Sequence, residues 1–276
     1  MTATIEGGTT VFNVVAVAPD GDTAQASRTV VYDFTPGTVV LDINGSSTPA
    51  EPTGDDNGPG TYAYPTSSDF HAGAFDIQAF RVIDGGATVT FKLQVRDLTP
   101  TFGSPLGAQL VDVYVRTPGA APGSTTTAAA FPQRNYSIAP AGAWNQLLEV
   151  QGFGQRYVDA HNNPLGTIQI SANQVSRFIT FSVPSAVLGH PTSGWMFTVV
   201  LTGQDGFSPD QARGFAPTPQ PFQFGLCAPG GVSPICAANP STAPKVMDVL
   251  TPVGVAQSDE LNFVVHPVVL QPISVP

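Results

Sequence analysis

Glycine and proline punctuate this chain so often that long helices have nowhere to form. With 28 glycines and 27 prolines in 276 residues, one or the other falls about every fifth position. Proline removes a backbone donor and fixes φ, and glycine weakens the interior of any regular element, so short elements between turns are what survives. The glycines follow no three-residue period, which excludes a collagen-like rod, and 42% hydrophobic residues are too many for a disordered linker. A turn-dense all-β fold satisfies both observations.

The strand signals agree. Val11–Val17 and Ser27–Asp33 flank the turn Pro19-Asp20-Gly21-Asp22 and read as one hairpin. Thr38–Ile43 opens a second region. There Phe75–Val82 and Thr88–Val95 surround Asp84-Gly85-Gly86 as a second hairpin. Gln109–Arg116 follows, with Val111, Val113 and Val115 on one face, then a low-complexity loop over 117–130 expected to be exposed and mobile. Shorter strands are expected over 146–152, 155–159, 167–170, 177–183 and 246–250. Pro184–Gly189 reads as one helical turn, and Met196–Leu201, apolar throughout, as a central strand. Many short strands predict a two-sheet antiparallel β-sandwich or jelly roll with Phe80, Phe91, Val113, Phe181 and Phe197 inside. The expected division is an incomplete hairpin unit over 1–34 and a sandwich over 35–276. A lone hairpin is marginal in water, and its unpaired edges suit self-association.

Charge narrows the partners. Ten Lys and Arg stand against 20 Asp and Glu, a net charge of −10, so a phosphate backbone would be repelled and nucleic acid is not an expected partner. No apolar run is long enough to span a bilayer. Cys227 and Cys236, the only cysteines, bracket eight Gly- and Pro-rich residues that can close into a loop. A disulfide there fits an exported protein, two unrelated buried thiols being the alternative. Met1–Glu6 lacks the basic and apolar regions of a signal peptide, so the expectation is a C-terminal piece of a longer exported protein.

Two kinds of site are legible. Gly54–Pro65 (GDDNGPGTYAYP) sets two adjacent carboxylates among turn residues. Adjacent carboxylates repel unless a cation separates them, so Asp55 and Asp56, joined by Asp76, are candidate calcium ligands. The alternative is a turn in which the two aspartates cap backbone N–H groups. Sugar binding requires aromatic faces, and Trp144, Tyr62, Tyr64, Phe102 and Tyr157 lie in loop-like sequence, with Gln109, Arg96 and Asn145 as candidate polar edges. Trp195 opens an apolar run and reads as core. Enzyme chemistry finds little support: His71, His161, His190 and His266 are scattered, no HExxH, G-x-S-x-G or P-loop pattern occurs, and Asp97, Asp112, Glu149 and Asp159 would form a carboxylate pair only by accident of folding.

The Gly54–Pro65 segment together with Arg96–Val115 (RDLTPTFGSPLGAQLVDVYV) resembles the C-terminal module of glucodextranases and related secreted amylolytic enzymes, over roughly residues 38–276. The resemblance implies a sandwich similar to the DOMON and family-nine carbohydrate-binding folds. It also implies an accessory role, binding a polysaccharide such as an α-glucan, or a cell-surface glycan, outside the cell. The first hairpin resembles the end of a bacterial immunoglobulin-like domain, which precedes that module in glucodextranases. The other expectation is a structural module that assembles by pairing strands between chains.

Overall fold

The computed structural model describes residues 8–32, 35–120 and 126–276. Glu6-Gly7 and Asp33, placed at the ends of the first hairpin by its sequence, and part of the 117–130 loop (121–125) lie outside the described residues. The chain divides into two compact units, Met1–Pro36 and Gly37–Pro276.

In the first unit, β1 (Gly8–Val17) and β2 (Thr23–Tyr32) pair antiparallel over ten residue pairs, from Gly8 opposite Tyr32 to Val17 opposite Thr23. The turn is closed by Gly21 N donating to Ala18 O at 2.9 Å and Asp22 N to Asp20 Oδ1 at 3.1 Å. Gly21 takes φ +94°, a backbone region that side chains disfavour.

The second unit contains β3 (Thr38–Asn44), β4 (Ile77–Asp84), β5 (Thr88–Val95), β6 (Gln109–Arg116), β7 (Ser137–Ile138), β8 (Gln146–Gln151), β9 (Gly154–Asp159), β10 (Gln169–Asn173) and β11 (Phe178–Pro184). After the single-turn helix α1 (Ser185–Leu188) come β12 (Met196–Gly203), β13 (Phe215–Ala216), β14 (Phe224–Gly225) and β15 (Asp248–Val249). Helix α2 (Gln257–Glu260), β16 (Val269–Leu270) and β17 (Ile273–Ser274) complete it. One antiparallel sheet runs β10-β11-β5-β4-β3. The other runs β15-β12-β6-β8-β9, with β17 paired to the other half of β12.

These sheets stack face to face. Phe80 and Phe91 of the first sheet lie 6.2 and 6.1 Å, ring centre to ring centre, from Phe197 of the second. Phe91 stacks on Phe181 at 5.3 Å. All four rings and Val113 are fully buried in one cluster, as the alternation of their strands predicts. The protein is thus an all-β, two-sheet antiparallel sandwich. No helix among the described residues is long and apolar enough to cross a membrane.

Strands β6, β8 and β12 of the second sheet are buried on both faces, which alternation alone does not reveal. On the side away from the core, Tyr114, Leu147, Val158 and Val200 pack against Phe131, Tyr136, Trp144, Leu261 and Leu270, contributed by the 126–144 connection and the C-terminal segment. Under that cover Arg134, fully buried, donates to Asp112 and Glu149 at 2.8 Å and to Asp210 at 2.9 Å. Lys245 adds a bond to Asp210 at 2.7 Å, and Arg156 lies 3.3 Å from Glu149. Three cations therefore meet three carboxylates, the balance a buried ionic cluster needs.

Candidate functional site

Four exposed phenyl rings gather at one end of the sandwich. Phe102, Phe153, Phe207 and Phe222 line an open groove of about 740 Å³ with Gln204, Asp205, Arg213 and Gln223 between them. Their exposures are 38%, 54%, 100% and 53%, although rings of this size normally end up inside.

Turns present these rings. Phe207 tops a loop beyond β12 in which Asp205 Oδ1 accepts the Phe207 N–H at 3.1 Å and Asp205 N donates to Gln211 O at 2.7 Å. Phe153 sits in the β8–β9 turn between two glycines. A Cβ on Gly152 would fall 1.6 Å from Ser104 Oγ, so only glycine lets this turn close on the Thr101–Ser104 turn that carries Phe102. Phe102 itself takes φ +54°, a costly conformation for an aromatic residue. Its ring is 5.7 Å from Phe70 and 6.5 Å from Phe222.

Arg213 ties the floor together. Its guanidinium lies 4.7 Å from the centre of the Phe70 ring and donates to Phe222 O at 2.5 Å and Gln204 O at 2.6 Å. Arg213 is buried, and its Nε is left without a partner. Four apolar faces around a few polar groups suit a ligand that alternates C–H surface with hydroxyls.

A second constellation lies elsewhere. Glu51, Asp55 and Asp248 place carboxylate oxygens within 4.8 Å of one another. Asp248 is fully buried and Glu51 nearly so. Burial, and then Asp248 and Asp55, push the Glu51 carboxyl up to about 11, while Asp248 and Asp55 are themselves raised, chiefly by burial. Adjacent to them, Arg96 bonds Asp76 at 2.9 Å and lies 3.6 Å from Asp56.

The structure places the three aspartates read from sequence as candidate ligands in different settings. Of Asp55, Asp56 and Asp76, only Asp55 lies in the three-carboxylate cluster. Asp76 Oδ2 also accepts Gly54 N at 2.9 Å, and its Oδ1 accepts Gln78 Nε2 at 2.5 Å, so both its oxygens are engaged. Asp56 accepts the Tyr64 hydroxyl. Glu51 and Asp248 went unnoticed because almost two hundred residues separate them, and no local spacing signals their meeting.

The aromatic residues read from sequence are also placed in different settings. Trp144 is only 4% exposed, its Nε1 donates to Ala129 O at 2.8 Å, and its ring is 5.4 Å from Tyr114. The strands of the second sheet need a cover, and Trp144 belongs to it. Tyr62 is buried 4.4 Å from the Phe215 ring, Tyr157 is buried on β9, and Tyr64 packs against Phe75. Trp144, Tyr62 and Tyr157 are thus buried, and Tyr64 is half-buried beside Phe75. Of the expected aromatics Phe102 alone lines the groove. Gln109 is buried against Ala74 O, and Asn145 Oδ1 accepts Thr117 N. Phe153 in Gly-Phe-Gly and Phe207 in Asp-Gly-Phe-Ser carry a sequence signal of their own, an aromatic residue inside turn sequence. Trp195 is core, as expected.

Cys227 and Cys236 are joined in a disulfide, with Cα atoms 5.3 Å apart. The bridge ties off a loop opening at the end of β14.

A β-sandwich with an aromatic-lined surface groove has the architecture of a binding module. Residues 48–267 match the family described as the C-terminal binding-module, SLH-like, of glucodextranase, and the chain belongs to that family. The matched residues fall inside the 38–276 span of the resemblance read from sequence. The family is one of binding modules and not of catalytic domains. No curated protein matches the chain.

Proposed function

We propose that this chain is a non-catalytic carbohydrate-binding module of an exported, polysaccharide-acting protein, working outside the cell or at its surface. The groove walled by Phe102, Phe153, Phe207 and Phe222 carries the reading. Exposed phenyl faces stack on the C–H faces of pyranose rings, and Arg213, Gln204 and Gln223 offer hydrogen bonds at the edges. The ligand is an uncharged glucan, since a chain of net charge −10 has no electrostatic attraction to offer an anionic polymer. Holding the parent protein on its substrate raises local concentration without adding chemistry. The sandwich is DOMON-like on this reading. The hairpin of residues 8–32 is the end of an immunoglobulin-like domain.

Pull-down on insoluble α-glucan tests this reading. The intact chain is expected in the bound fraction and the Phe207→Ala, Phe222→Ala double variant in the supernatant. Retention of neither, or equal retention of both, would contradict it. A second reading, assembly through strand pairing, draws support from the hairpin: ten paired residues per strand and no further strand joined to either edge among the described residues. Defined oligomers in solution that vanish when residues 1–36 are removed would favour it.

A further inference from the structure

We propose that Glu51, Asp55 and Asp248 form a buried calcium site that fastens the 51–58 loop to β15. Each of the three carboxylates carries an oxygen with no hydrogen-bond donor: Glu51 Oε1, Asp55 Oδ1 and Asp248 Oδ1. A buried carboxylate oxygen left unpartnered beside two others is unfavourable unless a proton or a cation stands among them, and a cation satisfies all three oxygens at once. Arg96, the guanidinium beside them, is engaged by Asp56 and Asp76.

The surroundings hold these oxygens in place. Asp248 Oδ2 accepts Ile77 N at 2.6 Å, which leaves Oδ1 as its free oxygen. The Gln257 side chain bridges the two segments: its Nε2 donates to Asp55 O at 2.5 Å and to Gly58 O at 3.2 Å, and its Oε1 accepts Val249 N at 2.9 Å. Gly58 N donates to Met247 O at 2.9 Å. Loop and strand are thus pre-aligned on both sides of the carboxylates.

The donor set selects the ion. Three anionic oxygens and no nitrogen or sulfur call for a hard cation. Several direct carboxylates suit calcium, with its flexible coordination, better than magnesium, which keeps most of its water.

Thermal unfolding of EDTA-stripped intact chain, with calcium chloride or magnesium chloride as the probe, tests the proposal. Calcium at a hundredfold excess over its dissociation constant is expected to raise Tm by about 5–10 °C, and magnesium by clearly less. Asp55→Asn, at the least buried of the three positions, should shift the calcium midpoint on the order of tenfold or more by removing one charged ligand. Asp248→Asn should abolish the response if that variant folds. Asp56→Asn, whose carboxylate is held by Tyr64 and Arg96, should keep most of the shift. A wild-type Tm identical in EDTA and calcium, an Asp55→Asn response equal to wild type, or an equal magnesium shift would each overturn the assignment.

Discussion

The guanidinium of Arg134 donates to Asp112 Oδ2 at 2.8 Å with both side chains fully buried, on the face of β6 turned away from the aromatic core. This pair is the centre of the ionic cluster that lets polar residues sit under the outer cover of the second sheet. Removing the arginine alone leaves Asp112, Glu149 and Asp210 with only Lys245 and Arg156 for compensation. Arg134→Ala is therefore expected to cost about 3–5 kcal/mol in urea unfolding. A cost of about 1 kcal/mol or less, that of a surface ion pair, would mean the cluster is wet.

Trp144 separates stability from binding. It packs with Tyr114 and bonds Ala129 O beneath the outer cover, away from the groove residues. Trp144→Ala should lower unfolding free energy by about 3–5 kcal/mol, the usual cost of a large cavity. Glucan affinity, measured well below the melting temperature, should stay at the wild-type value. A variant of normal stability that binds weakly would return Trp144 to the binding surface.

Stability should also fall as the pH rises from about 4.5 towards 7, in part because of Glu260. Burial raises its carboxyl to about 7 from an ordinary 4.5, although Gln271 N donates to Oε1 at 2.6 Å. The folded protein keeps this proton to a higher pH than the unfolded chain does. The contribution is complete below 4.5 and is lost as the pH climbs through the folded value. Glu260→Gln stays neutral throughout, so its stability relative to wild type should rise between pH 5 and pH 8 by an amount on the order of 2–3 kcal/mol. Chemical denaturation of both proteins across that range measures the difference; parallel curves would contradict it.

The Cys227–Cys236 bridge closes a short loop. On chain entropy it contributes roughly 2–3 kcal/mol. The double variant Cys227→Ser, Cys236→Ser should show a midpoint shifted accordingly in urea, and mass spectrometry of the unreduced wild type should find two hydrogens fewer than the free-thiol mass. Two alkylatable thiols would contradict the bridge.

Sequence reading found what is local. The β4–β5 hairpin around Asp84–Gly86 and the placement of Phe80, Phe91, Phe181 and Phe197 follow from alternation, because the pleat turns a two-residue period directly into an inside and an outside. Alternation breaks down on β6, where Leu110, Asp112 and Tyr114 are as buried as Val111, Val113 and Val115. Their cover comes from segments distant in sequence. The same distance hid the sites. Glu51 reaches Asp248 through the stacking of loop on strand, and the groove draws one phenylalanine from each of four turns. Trp144 misled for the opposite reason: Ala141-Gly142-Ala143 offers no bulk beside it, and its neighbours Tyr114 and Phe131 come from elsewhere in the chain.

Glucan binding at the phenylalanine groove is the central claim, and titration calorimetry with soluble α-glucan oligosaccharides and dextran tests it most directly. The intact chain is expected to bind with a dissociation constant of roughly micromolar to millimolar, since a shallow platform buries little area per sugar. Affinity should not change between low and high salt, because stacking and neutral hydroxyl contacts are not screened. Phe207→Ala, which removes a fully exposed ring and no internal packing, should weaken binding about five- to tenfold at unchanged Tm. Absence of heat with every glucan, or an affinity that Phe207→Ala leaves untouched, would contradict the account.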